Sequence, residues 1–156
     1  MGRVTVGPDD QSPCWDREFE AFVAGAAGRL LHAATLLTTE PDDANPAARE
    51  LLAGALARTY AHWDRLRGDD PYAHARRELC AAFARAAWRH RRGRGGVLTR
   101  LTPRLRLVLV LRLYEGMAEE QIGALLGLPP DRVRALAARA ATLLNPRPAT
   151  RRETAR

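Results

Sequence analysis

Four prolines frame this chain: Pro46, Pro71, Pro103 and Pro130 each stand at the head of a stretch whose apolar residues recur every three or four positions. Proline lacks the backbone N–H that a helix interior needs, but the first turn has no intrahelical use for it, so a proline in that position opens a helix. A further stretch of the same period precedes them. In DREFEAFVAGAAGRLLHAATLL the residues Phe19, Phe22, Val23, Ala26, Leu30 and Leu31 share one face of a helix running from Asp16 to about Leu37. No segment of any length alternates with the period of two that a half-buried strand requires. The expected fold class is all-α.

The breaks between these stretches give the organisation. TTEPDDANP ends the first helix and offers Asn45 as an N-cap for a second, from Pro46 to about Leu66, with Leu51, Leu52, Ala55, Leu56, Thr59, Tyr60 and Trp63 on its apolar face. RGDDP turns the chain into a third helix, PYAHARRELCAAFARAAWRHRR, with Leu79, Cys80, Phe83 and Ala87 inward. Trp88 has two readings, one as ordinary core and one as an outward platform. GRGG then breaks the pattern as a flexible hinge. In TPRLRLVLVLRLYEG, Thr102 is the expected N-cap, Leu105, Val108, Leu109 and Leu113 point inward, and Gly116 stops the helix. EEQIGALLGLPPDRVRALAARA reads as a short helix, a tight turn and a second helix. The expected domains are a three-helix bundle over 14–92, a linker over 93–100, a helix-turn-helix unit over 101–144 and a disordered tail over 145–156.

Charge divides along the same line. All 25 basic residues are arginine. Residues 1–86 hold 10 of them against 13 acids, a net of −3, whereas residues 87–156 hold 15 against 5, a net of +10. The second half therefore faces a polyanion, nucleic acid or an acidic membrane surface, unless its charge only solvates a surface.

A helix-turn-helix that reads DNA needs apolar residues at fixed offsets to lock its two helices at a steep angle. Ile122, Leu126, Leu128, Val133 and Leu136 meet those offsets, Gly123 is the small residue where the helices cross, and Gly127 supplies the turn. The exposed positions near the start of the second helix are Asp131, Arg132, Arg134 and Ala135, with Arg139 one turn on. Arginine there can reach guanine edges or phosphates.

Other functions find less support. His32, His62, His74 and His90 fall on different helical faces with no HExxH motif or carboxylate pair, so neither a metal site nor an enzyme is expected, and no cofactor. Cys14 and Cys80 lack paired spacing and read as plain thiols. No run of about 18 apolar residues and no signal peptide is evident, so a soluble cytoplasmic protein with no membrane partner is expected.

LTRLTPRLRLVLVLRLYEGMAEEQIGALLGLPPDRV resembles region 4 of the extracytoplasmic-function sigma factors, ARTYAHWDRL resembles their polymerase-docking helix, and the segment ending AAWRHRR resembles their promoter-opening helix. The resemblance covers about residues 16–92 and 98–144. It implies core RNA polymerase and promoter DNA as partners, and it admits an anti-sigma protein as a third. It implies a polymerase-docking surface at Glu50, Leu51, Arg58, Tyr60 and Trp63. It also implies promoter contacts at Trp88, where an unpaired base can stack, and at Arg89, Arg91 and Arg92, where phosphates can bind.

Three departures accompany the likeness. ELLAG at Glu50–Gly54 stands where the family usually has an acidic Asp-Leu-Val-Gln-Glu, and RALA at Arg134–Ala137 replaces a common Lys-Ser-Arg-Leu. Only about ten residues separate Arg92 from Pro103, and at ~3.5 Å each they reach at most ~35 Å. Two promoter elements one and a half turns apart lie ~50 Å from each other at ~34–36 Å per turn. The leading expectation is a sigma-like initiation protein, an atypical member with a short linker. The alternatives are a sigma-derived DNA-binding regulator and a sigma-mimicking interaction module, neither of which initiates transcription.

Overall fold

The computed structural model describes residues 12–145, and the expected tail lies almost entirely outside them. The described residues form six helices and no strand: α1 Ser12–Thr38, α2 Pro46–Ala61, α3 Pro71–Arg85, α4 Pro103–Leu109, α5 Glu119–Leu126 and α6 Pro130–Leu144. The four prolines all sit in the first turns of their helices. α2 and α3 end earlier than their periodicity suggests, each passing into a short 3₁₀ turn, Trp63–Leu66 and Ala87–His90.

α1, α2 and α3 make an N-terminal bundle that closes on small residues. Ala33 and Ala34 of α1, Ala48 and Ala55 of α2 and Ala75 of α3 are buried beside Leu30, Leu37, Leu79, Cys80 and Phe83. Burial pushes the Cys80 thiol up to about 12, so it is an inert part of that core. Between α1 and α2 the expected cap is corrected. Asn45 occupies the N-cap position but donates to Thr35 Oγ1 and accepts from Arg49, while Glu40 takes the N–H groups of Ala47 and Ala48 at 3.0 and 2.8 Å. A carboxylate is the better partner for the positive end of a helix. Burial alone would raise the pKa of Glu40, but those N–H groups and Thr38 hold it below its usual range.

α4, α5 and α6 form the C-terminal unit around Ile122, Val133, Leu136 and Ala140. α4 and the two residues after it are buried almost all round, from Leu105 to Leu111, and α4 also packs against α1 and α3. Beyond it the helix widens to a π turn over Val110–Tyr114, closed by Glu115 N–H donating to Val110 O at 3.0 Å. The extra residue in that turn rotates the following side chains. Leu113, expected inward, is therefore 73% exposed, and Glu115 takes an inward position.

Two charged residues join the units. Arg106, 0% exposed, donates to the carbonyls of Leu37 at 2.6 Å, Leu101 at 3.1 Å and both His90 and Leu98 at 3.3 Å. Leu37 lies in the last turn of α1, where carbonyls lack intrahelical donors and the helix dipole favours a cation. Burial lowers the pKa of Arg106 from so high an ordinary value that the side chain stays charged. Glu115, its side chain 1% exposed, accepts from Tyr72 Oη at 2.8 Å and Arg76 Nη1 at 3.0 Å, and Arg29 Nε lies 3.7 Å away. The expected hinge is pinned as well: Arg94 N–H donates to Thr39 Oγ1 at 2.8 Å, and a 3₁₀ turn at Val97–Arg100 follows.

α1 also qualifies one expectation. Its segment Cys14–Thr38 is long and apolar enough, by length and composition, to cross a membrane, but it supplies the buried Leu30, Ala34 and Leu37 of this core.

Acid should lower the stability of the fold over two successive pH ranges. Burial, with the nearby Arg77 and Arg106 respectively, holds buried His74 and His90 below their ordinary 6.5. The unfolded chain thus takes up protons that the fold resists, so the stability of these groups is full above pH 6.5 and declines below it. A second loss follows below pH 4.5, as Glu40 protonates through its lowered value. Urea midpoints measured between about pH 8 and pH 4 should show both declines, and a His74→Asn, His90→Asn double variant should flatten the first.

Candidate nucleic-acid interface

The α5–α6 turn is built from the residues at the crossing. A Cβ at Gly123 would collide with the Leu128 carbonyl oxygen, and Leu128 N–H donates back to Gly123 O at 2.9 Å. Gly127 takes the left-handed backbone at φ 68°, which favours glycine. At the start of α5 the side chain of Gln121 accepts from Ala118 N–H at 3.0 Å. Ile122 and Val133 fill the crossing completely, while Leu126 and Leu128 are half-buried at its edge.

This packing turns Asp131, Arg132, Arg134, Ala135 and Arg139 outward together on α6. Their charges are not equally free. Arg134 is held by Glu119 of α5 at 2.8 Å and by Asp131 at 3.3 Å. The Glu119 hydrogen bond, with the charges of Glu119 and Asp131, raises its pKa. Arg132 and Arg139 form no ion pair among the described residues. Sequence reasoning missed Glu119 because its partner is 15 positions away; the signal was an acid in the first turn of α5, just across the turn from the arginines of α6.

Residues 97–144 match the sequence profile described as Sigma-70, region 4. This segment is a sigma-70 region 4. It spans the Val97–Arg100 turn, α4, the π turn, α5 and α6, and it has the character of a DNA-binding domain. No curated protein and no solved structure matches the chain.

Region 4 thus includes Arg132 and Arg139 on the exposed face of its second helix. In the full-length protein, Arg132→Ala should weaken binding to a selected duplex by about 1–3 kcal/mol. Arg139→Ala should weaken all duplexes alike and reduce the slope of log K against log salt by about one. Arg134→Ala should show the smaller effect of a residue already neutralised by Glu119. Fluorescence anisotropy over a salt series measures all three.

In the N-terminal bundle the expected promoter contacts cluster at the end of α3. Trp88 is 65% exposed, which overturns its core reading. The reason is the 3₁₀ turn, with three residues to a turn: buried His90, stacked on Phe83 at 5.2 Å, locks one side inward and leaves Trp88 and Arg89 outward. The Arg89 guanidinium lies 5.1 Å from the Trp88 ring centre, and Arg91 and Arg92 are exposed just beyond.

The five expected polymerase contacts separate into two groups. Tyr60 and Trp63 pack edge-on against Phe19 of α1 at 4.9 and 5.1 Å, and Tyr60 Oη donates to Asp16 at 2.6 Å. Glu50, Leu51 and Arg58 line a cleft toward the end of α3 instead.

Proposed function

We propose that this chain is a sigma-like transcription protein of the extracytoplasmic-function type, acting in the cytoplasm on promoter DNA together with core RNA polymerase. The observation that carries the reading is region 4 at 97–144, with its intact helix crossing and outward Arg132 and Arg139. In this reading the bundle of α1, α2 and α3 serves as region 2. It meets polymerase through Tyr60 of α2 and Trp63 of the turn after it, and Trp88, Arg89, Arg91 and Arg92 meet opened promoter DNA. An anti-sigma protein would bind the same surfaces, and no catalytic group takes part.

A second reading has its own support. Arg106 and Glu115 tie region 4 to the N-terminal bundle through buried hydrogen bonds, so the ten-residue strap cannot simply extend. A protein of this build favours one promoter element at a time, which suits a regulator that binds without initiating.

In vitro transcription with purified core polymerase and a promoter selected by the full-length protein separates the two. A specific transcript supports initiation. Duplex binding with no transcript and no retention on core polymerase overturns it in favour of the regulator.

A further inference from the structure

Leu37, Thr38, Thr39 and Glu40, at the end of α1, tie that helix to three other segments. Leu37 O accepts from Arg106 of α4, Thr39 Oγ1 accepts from the Arg94 N–H of the strap at 2.8 Å, and Glu40 closes the start of α2 through Ala47 and Ala48, with Thr38 Oγ1 donating to it at 3.0 Å. All four are buried. Thr39 stands apart by its backbone: its φ of 59° lies in the left-handed region, and among the described residues it is the one non-glycine with a positive φ. Glycine commonly ends a helix in this way. A β-branched residue is among the least suited to it, and persists there only where its surroundings hold it.

Arg94 does part of that holding. Its N–H meets Thr39 Oγ1, and its charge lies in the field of Glu40, the next residue, where it favours the carboxylate. The strap around Arg94 is folded, not stretched. Gly93 lies so close to Thr99 that a Cβ would collide with it, Thr99 Oγ1 donates to Gly96 O at 2.8 Å, and Gly96 turns the chain at φ 76°. A strap drawn out straight therefore opens this loop and leaves Thr39 without its donor.

We propose that Thr39 is a strained latch by which the strap controls the start of α2. With the strap seated, the left-handed turn aims Glu40 at Ala47 and Ala48. Once the strap is drawn off, Thr39 relaxes into ordinary backbone and Glu40 leaves those N–H groups, for which the first turn of a helix offers no acceptor of its own. The start of α2 then frays, in the turn just before Glu50 and Leu51. The cause of the strap's movement rests on the function proposed above, since a partner that separates region 4 from the bundle must pull on it. The latch rests on the bonds alone.

The test uses the full-length protein by itself, with amide hydrogen exchange followed residue by residue by NMR and referred to the core amides of Leu79 and Phe83. Thr39→Val removes the hydroxyl but keeps a branched side chain on the strained backbone, so Arg94 should exchange faster, and Ala47 and Ala48 about tenfold faster. Thr39→Gly also loses the hydroxyl, yet glycine takes the left-handed turn unaided. Arg94 should again exchange faster, while Ala47 and Ala48 stay within about twofold of the parent. Thr39→Ser keeps the hydroxyl and should match the parent at all three amides. Thr39→Ala repeats the valine test with a smaller side chain, in case the valine variant does not fold. Equal loosening of α2 in the valine and glycine variants overturns the latch, because the lost hydroxyl alone would then account for it. A start of α2 that valine leaves unchanged overturns it as well, and so does an Arg94 amide that neither variant accelerates. In vitro transcription tests the sigma-like reading separately, so either can fail without the other.

Discussion

Arg106→Ala is expected to destabilise the protein by about 3–5 kcal/mol, because each buried carbonyl left without a donor costs about 1–3 kcal/mol. Leu37, His90 and Leu101 all lose theirs in buried surroundings. The cation that complements the end of α1 goes as well. Urea unfolding of parent and variant measures the difference. Arg106→Lys should recover less than half of it, since a lysine ammonium is a compact point and cannot span carbonyls on both sides as the planar guanidinium does. A cost below about 1 kcal/mol for Arg106→Ala would mean that the joint between the two units is not built on this side chain.

The second large effect falls on region 4. Gly123→Ala puts a Cβ against the Leu128 carbonyl, and that neighbour is turn backbone already tied to Gly123 by the Leu128 N–H. Neither side can give way without opening the crossing, so about 3 kcal/mol should be lost, together with most duplex affinity. Gly127→Ala is the informative comparison. Its Cβ meets nothing within 4 Å, and only the left-handed backbone is strained, at about 1–2 kcal/mol. Thermal melting and duplex anisotropy on the two variants should therefore differ in both measurements, although the same methyl group is added four residues apart.

Much of this architecture was legible residue by residue. Prolines at helix starts and apolar spacing of three and four placed all six helices, because both signals are local and depend on a single turn of backbone. Gly123 was legible for the same reason: a tight crossing leaves a small residue in its own sequence. Arg106 was not. An arginine inside LRLVLVLRL breaks an apolar run, and periodicity cannot tell whether it turns to water or to carbonyls at the end of another helix, 69 residues away. Glu115 escaped notice for the same reason, as did the Glu119 that holds Arg134. Trp88 hung on the switch from α-helix to 3₁₀ turn after Arg85, a change of pitch that no composition signals. The candidate site was thus visible as a set of residue types and hidden as a set of partners.

The wide turn at Val110–Tyr114 bears on how this chain tolerates changes of length. A π turn holds one residue more than an α-helix carries over the same rise. Removing one residue from that turn would restore an ordinary helix with every backbone hydrogen bond available, a change that helices elsewhere often accept. Here Glu115 would keep its bond to Val110 and its side of the axis toward Tyr72, Arg76 and Arg29, whereas straightening the turn into an α-helix with no residue removed would swing it by about 100°. In that unshortened helix the two arginines would lose their shared carboxylate, and α5 and α6 would be carried round with the turn. A deletion of the exposed Leu113 should therefore be better tolerated than the insertion of one residue in this segment.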